Sequence, residues 1–181
     1  MNQSTLTWLG LLAVLGLWIL GAHNRTTALR AAILTAWAQV ELALALRAQA
    51  LADLLATVAL PLTSEAAAVD AVASAQAQVL AAIDAMRRRP VAHDTVADLS
   101  KADAVLAAVL VRLVALVEQQ PALLANPDVQ APLKTLRELP PRLVFARQMF
   151  NEAGSAYNDG TQQFPTRLLR SVLGFVQAGR L

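Results

Sequence analysis

The first 24 residues carry no charged side chain, and Leu6 to Ala22 form an almost unbroken apolar run, LTWLGLLAVLGLWILGA. A helix of that length spans roughly 26 Å at about 1.5 Å per residue, close to the ~30 Å hydrocarbon core, so the segment predicts a transmembrane helix. Trp8 and Trp18 stand near its two ends, where indole rings favour the headgroup boundary. A cleaved signal peptide fits poorly, because no Lys or Arg opens the segment and a cut after Ala22 puts Leu20 where a small residue is needed. A lipoprotein anchor requires a cysteine, and the chain has none. The remaining alternative is a buried core helix.

This divides the chain into a short extracytoplasmic tail (1–5), a transmembrane helix (6–22), a helical domain (23–164) and an amphipathic tail (165–181). No Lys or Arg precedes the span, whereas Arg25, Arg30 and Arg47 follow it. The positive-inside rule therefore predicts a single-pass protein of the cell inner (cytoplasmic) membrane, N-terminus outside and C-terminal domain in the cytoplasm. The absence of cysteine agrees with a reducing compartment.

Beyond the anchor, Leu29, Ile33, Trp37, Val40, Leu44, Leu51, Leu55 and Val58 recur at helical steps in a heptad-like seam that only Arg47 breaks. No Pro or Gly lies between Ala22 and Leu60, so anchor and first helix can form one rod ended by Pro61. Val69, Val72, Val79, Leu80, Ile83 and Met86 mark a second helix, stopped by Pro90 after Arg87, Arg88 and Arg89. Asp94 or Thr95 is the expected cap of a third, with Leu106, Val109, Leu110, Leu113, Leu116 and Val117 on its apolar face. Five prolines between 120 and 141 predict a broken connector with two short helical turns, Asn126-Pro127 capping one of them. A fourth helix is expected from about Pro140 to Phe164. The fold class is thus all-α: an N-terminal transmembrane helix followed by an elongated antiparallel four-helix bundle or coiled coil.

Chemistry is sparse. The two histidines lie far apart, Asp53, Asp70, Asp84 and Asp103 read as solvated surface, and no metal, phosphate-loop or nucleophile motif occurs. We therefore expect no catalytic residue, no cofactor and no metal. A net charge of +2 spread over both signs, with 4% aromatic residues, argues against a nucleic-acid partner.

The fourth helix is more specific. Phe150-Asn151, Tyr157-Asn158 and Phe164-Pro165 repeat every seven residues, just after Ala146-Arg147. Phe150, Tyr157 and Phe164 form one slowly drifting stripe, and Arg147, Asn151 and Asn158 a second beside it. The second stripe is either the polar flank of a core seam or an interaction edge. Counting residues from the turns places Glu41 opposite Asn158, as a carboxylate beside an amide donor.

Here the chain resembles the LemA family. His23-Asn24, Ala36-Trp37 with Val40-Glu41, and Gln120-Pro121 with Leu123, Ala125 and Asn126 are similar to three of its short motifs. The block AR…FN…YN…FP…GF from Ala146 to Phe175 is the most specific match. The family's basic run after the tryptophan is reduced to Arg47, with Ala45 and Leu46 beside it, its first-helix proline is Ala52, and its Thr-Glu helix start is Leu139-Pro140. The resemblance implies a single-span membrane protein with a helical cytoplasmic domain and no settled activity. With no catalytic constellation, the first functional reading is a non-enzymatic scaffold or regulator of envelope proteins, for which the resemblance implies a membrane protease or other envelope-stress factor as partner; oligomers are allowed.

The tail suggests a second membrane contact. Leu168, Leu169, Val172, Leu173, Phe175 and Val176 share one arc of a helical wheel, opposite Arg167 and Arg170. That pattern suits a helix lying in the bilayer surface. Packing back on the bundle and an unstructured end are the alternatives. A bundle touching the bilayer at both ends, as a membrane-surface or lipid-binding protein, is the second functional reading.

Overall fold

The computed structural model describes residues 3–163 and 177–181, with side-chain surroundings from Thr7 onward. It is all-helical: α1 Gln3–Val58, a single 3-10 turn Thr63–Glu65, α2 Ala66–Arg88, α3 His93–Glu118, the short α4 Pro121–Leu124 and α5 Pro127–Gln162. Among the described residues there is no strand, only one antiparallel bridge between Ala92 and Ala178. The amphipathic stretch Arg167–Val176 lies outside the described residues.

The apolar N-terminal stretch and the helical residues that follow it form one rod. The Leu62 amide closes the end of α1 on the Val58 carbonyl at 2.9 Å, and Pro61, which lacks an N–H, prevents continuation. From Trp8 to Leu20 the large apolar side chains are exposed, whereas from Ile33 to Val58 the inward positions are buried at three- and four-residue steps, with Arg47 partly buried among them. By length and composition, helix over Thr7–Val58 can cross a membrane, and so can Thr63–Arg88, whose apolar face packs against α3.

α1 packs along α5, and α2 along α3. Arg25 meets Gln163, Leu29 lies against Gly160 and Trp37 meets Phe150, so partner numbers on α5 fall as those on α1 rise. One core joins both pairs, with Leu44, Leu51 and Leu54 of α1, Val72 and Met86 of α2, Leu99 and Leu106 of α3, and Phe150 and Tyr157 of α5. Leu80, expected in the second seam, is 47% exposed.

Two expectations about helix ends are corrected. α3 starts at His93 with Ala92 as its cap, not at Asp94 or Thr95. The Thr95 hydroxyl donates instead to the carbonyls of Arg89 (2.8 Å) and Ala92 (2.9 Å), and the Asp94 carboxylate is drawn to Arg89 at 2.9 Å. The connector is also much shorter than the prolines suggested. Asn126 accepts from the Asp128 amide at 2.9 Å with Pro127 in the first turn, as its sequence foretold, but α5 then runs through Pro132, Pro140 and Pro141. An interior proline costs a helix ~3 kcal/mol. The buried Leu133, Leu136, Leu139 and Leu143 each contribute about 1.5–3 kcal/mol, which is enough to hold the helix through them.

Candidate functional site

The early start of α5 resets every height along it. Beginning at Pro127 instead of Pro140 shifts the register by roughly 20 Å at about 1.5 Å per residue. Glu41 and Asn158 consequently do not meet. Glu41 accepts from Arg87 Nε of α2 at 2.5 Å, and this partner holds the Arg87 guanidinium above its ordinary pKa.

The two stripes on α5 separate cleanly. Phe150 and Tyr157 are fully buried, Phe150 meeting Trp37 edge-on at 6.3 Å between ring centroids. Phe164 lies outside the described residues. The polar stripe splits into two structures.

The first is a buried ion triad. Asp103, read from sequence as solvated, is only 6% exposed, and its two oxygens accept from Arg47 of α1 and Arg147 of α5. Its position explains this: Leu99, Asp103, Leu106, Leu110, Leu113 and Val117 follow three- and four-residue steps, so Asp103 sits in the apolar face of α3. Arg47 occupies the same kind of position between Leu44 and Leu51. A charge breaking one seam and an opposite charge breaking the facing seam is the signal by which sequence could have found the pair. The other three aspartates are exposed as expected.

The second is a clasp on the C-terminal segment. The Asn158 amide donates to the Ala178 carbonyl (3.1 Å) and accepts from the Ala178 N–H (2.8 Å). Asn151, two turns earlier, does the same with Leu181, at 2.9 Å in both bonds. Each side-chain amide thus copies the donor–acceptor pair of a neighbouring strand. On the other side of the segment, Ala178 bridges to Ala92, and Gly179 presses on the start of α3. A Cβ on Gly179 would stand 2.8 Å from Val96 Cβ and 3.1 Å from His93 Cα, so only glycine fits. Gly154 faces the same segment from α5. Nothing in the sequence pointed to residues 178–181 as the object of the two asparagines, because an extended segment read through its backbone leaves no side-chain pattern.

In the first turn of α3, burial alone would raise the Asp94 carboxyl, but hydrogen bonds from the Thr95 amide and from Arg89, and the Arg89 charge, hold it below its ordinary value. A depressed carboxylate adds stability above its unfolded pKa and loses it as pH falls through the folded one. The urea midpoints of the native chain and Asp94→Asn should therefore differ at neutral pH and converge at pH values below the ordinary carboxylate range, once Asp94 is protonated in both states. A gap that persists there would contradict this contribution.

These features define an all-helical protein with a long apolar N-terminal helix and a polar edge that ties α1, α3, α5 and the C-terminal segment together. The sequence model of the LemA family matches residues 36–180, and the chain belongs to the LemA family. The match takes in the whole triad and the clasp from Asn151 to Gly179. A comparison with curated proteins finds no match. Among the described residues no group of His, Cys, Asp and Glu is placed to hold a metal ion.

Proposed function

We propose that the protein is a single-span membrane anchor carrying an antiparallel four-helix bundle, N-terminus outside and bundle in the cytoplasm, that acts without catalysis as a docking scaffold or regulator of envelope proteins. The observation that carries the reading is an apolar patch where α1 and α5 meet. Leu42 (57%), Leu46 (43%), Phe145 (64%) and Met149 (43%) are exposed together on that face. Large apolar residues clustered at the surface mark contact sites.

Height separates a protein partner from the bilayer. Leu42 lies 21 residues beyond Gly21, the last exposed residue before buried Ala22, which is roughly 32 Å along the rod. A patch that far from the headgroups suits another protein. It also uses Leu46, at a position where the LemA pattern has basic residues, so this chain offers apolar contact there. A membrane protease or another envelope-stress factor fits a partner held beside a membrane-tethered rod.

The test is crosslinking of the full chain in native membranes, followed by detergent extraction and pull-down. One dominant protein partner should be recovered. Leu42→Glu with Phe145→Glu should reduce its recovery at least tenfold while the unfolding midpoint moves little, since substitutions at exposed sites usually cost within ~0.5 kcal/mol. Undiminished recovery would exclude the patch, and behaviour governed only by lipid composition would favour a lipid-binding role.

A further inference from the structure

A second feature lies between α3 and α5, beside the Leu42–Phe145 patch, with which it shares Ala43 and Leu139. α3 and α5 diverge over a cavity of about 530 Å³, with Ala43 and Arg47 of α1 as its floor. Its walls are apolar: Leu110, Val111 and Val114 from α3, and Leu136, Leu143 and Val144 from α5. Polar groups occur only at its ends. The Arg47–Asp103–Arg147 triad closes one, and the Arg137–Glu118 ion pair closes the other.

The two ends differ in charge. Arg137 and Glu118 neutralise each other, whereas Arg47 and Arg147 set two positive charges against one carboxylate. Arg47 has a side chain only 11% exposed, and its Nε is buried with no hydrogen-bond acceptor among the described residues. A buried charge normally has a partner for each polar atom. The triad end is therefore short of one negative charge and of at least one acceptor.

Shape narrows the class of ligand. Between Asp103 and Glu118 the lining runs roughly 22 Å at about 1.5 Å per residue. Spread over that length, the volume gives a half-open cleft roughly 5–8 Å across, narrower than the ~10–12 Å of a helix with its side chains. That width suits one flexible hydrocarbon chain better than a helix. A volume of this size is ordinary for a small-molecule site.

We propose that this cleft binds a single-chain anionic amphiphile, its carboxylate or phosphate head on Arg47 and Arg147 and its acyl chain along Leu110, Val114, Leu136 and Leu143. The head supplies the missing charge and accepts hydrogen bonds from the guanidinium groups, in the charge-assisted geometry that arginine favours. The chain covers apolar walls that water would otherwise wet. Val111 and Val144, 70% and 63% exposed, form an apolar mouth through which the ligand enters. This does not depend on the docking patch, and either can fail without the other.

The experiment uses the full chain in phosphatidylcholine nanodiscs with a diazirine-bearing long-chain fatty acid, light-induced labelling and peptide mapping. Labels are expected between residues 103 and 118 and between 136 and 147, in addition to the anchor. The fatty alcohol of equal length should label the cleft at least tenfold less. Arg147→Gln, and separately Val111→Glu at the exposed mouth, should each reduce cleft labelling at least fivefold while leaving anchor labelling unchanged. Competition by unlabelled fatty acid or by lysophosphatidic acid tells which head the cleft prefers. Labelling confined to the anchor, equal labelling by the alcohol, or failure of both competitors would overturn the proposal.

Discussion

Asp103→Asn is expected to be among the most destabilising single changes in the protein. It removes the one carboxylate between Arg47 and Arg147 with almost no change of volume, and so leaves two guanidinium groups facing a neutral amide. Breaking a buried ion pair from one side typically costs about 3–5 kcal/mol. For a chain of this size that is a fall in Tm of about 6–20 °C, read by helical circular dichroism. Arg147→Met should cost less, because Asp103 keeps its Arg47 partner. The combination Asp103→Leu with Arg47→Leu should also cost less than Asp103→Asn, since both buried charges leave together and Arg147, 30% exposed, can turn its head to water. A Tm for Asp103→Asn within 2 °C of the native chain would show that the triad is not a structural tie.

Asn151→Ala with Asn158→Ala is expected to release the C-terminal segment. The pair removes four hydrogen bonds between amide side chains and the backbone of Ala178 and Leu181. Leaving buried backbone groups unpaired costs roughly 1–3 kcal/mol each, but this segment can detach and meet water instead. The expected result is therefore local: protection of the amides of residues 178 and 181 from hydrogen exchange falls by two orders of magnitude or more, while global unfolding moves by only about 1–3 kcal/mol. Gly179→Val should give the same exchange pattern, because its side chain cannot fit against Val96 and His93. Unchanged exchange in both variants would mean that the clasp does not hold the segment.

The helices were legible in the sequence because their apolar steps are regular and prolines stand at several of their ends, with Asn126 capping α5. The course of α5 was not, because Pro132, Pro140 and Pro141 argue locally for breaks, while the buried leucines around them, a tertiary effect, hold the helix. That one misreading also displaced the expected Glu41–Asn158 pair. The Arg147, Asn151 and Asn158 stripe was visible as a pattern, but its partners were not: one lies on α3 and the other two are backbone groups of the C-terminal segment. Asp103 shows the opposite failure. Its seam position was readable, and the general tendency of Asp toward the surface obscured it.

Anchorage through residues 6–22 with the bundle in the cytoplasm is tested most directly by cysteine accessibility, which a chain without cysteine permits cleanly. Single cysteines replace Val14 in the exposed apolar stretch and Glu152 on the outer face of α5. In intact cells a membrane-impermeant maleimide should label neither. After the membrane is opened without detergent, Glu152→Cys should react fully and Val14→Cys should stay unreactive until detergent is added. Rapid labelling of Val14→Cys in opened membranes would rule out a span at that position, and labelling of Glu152→Cys in intact cells would place the bundle on the outer side.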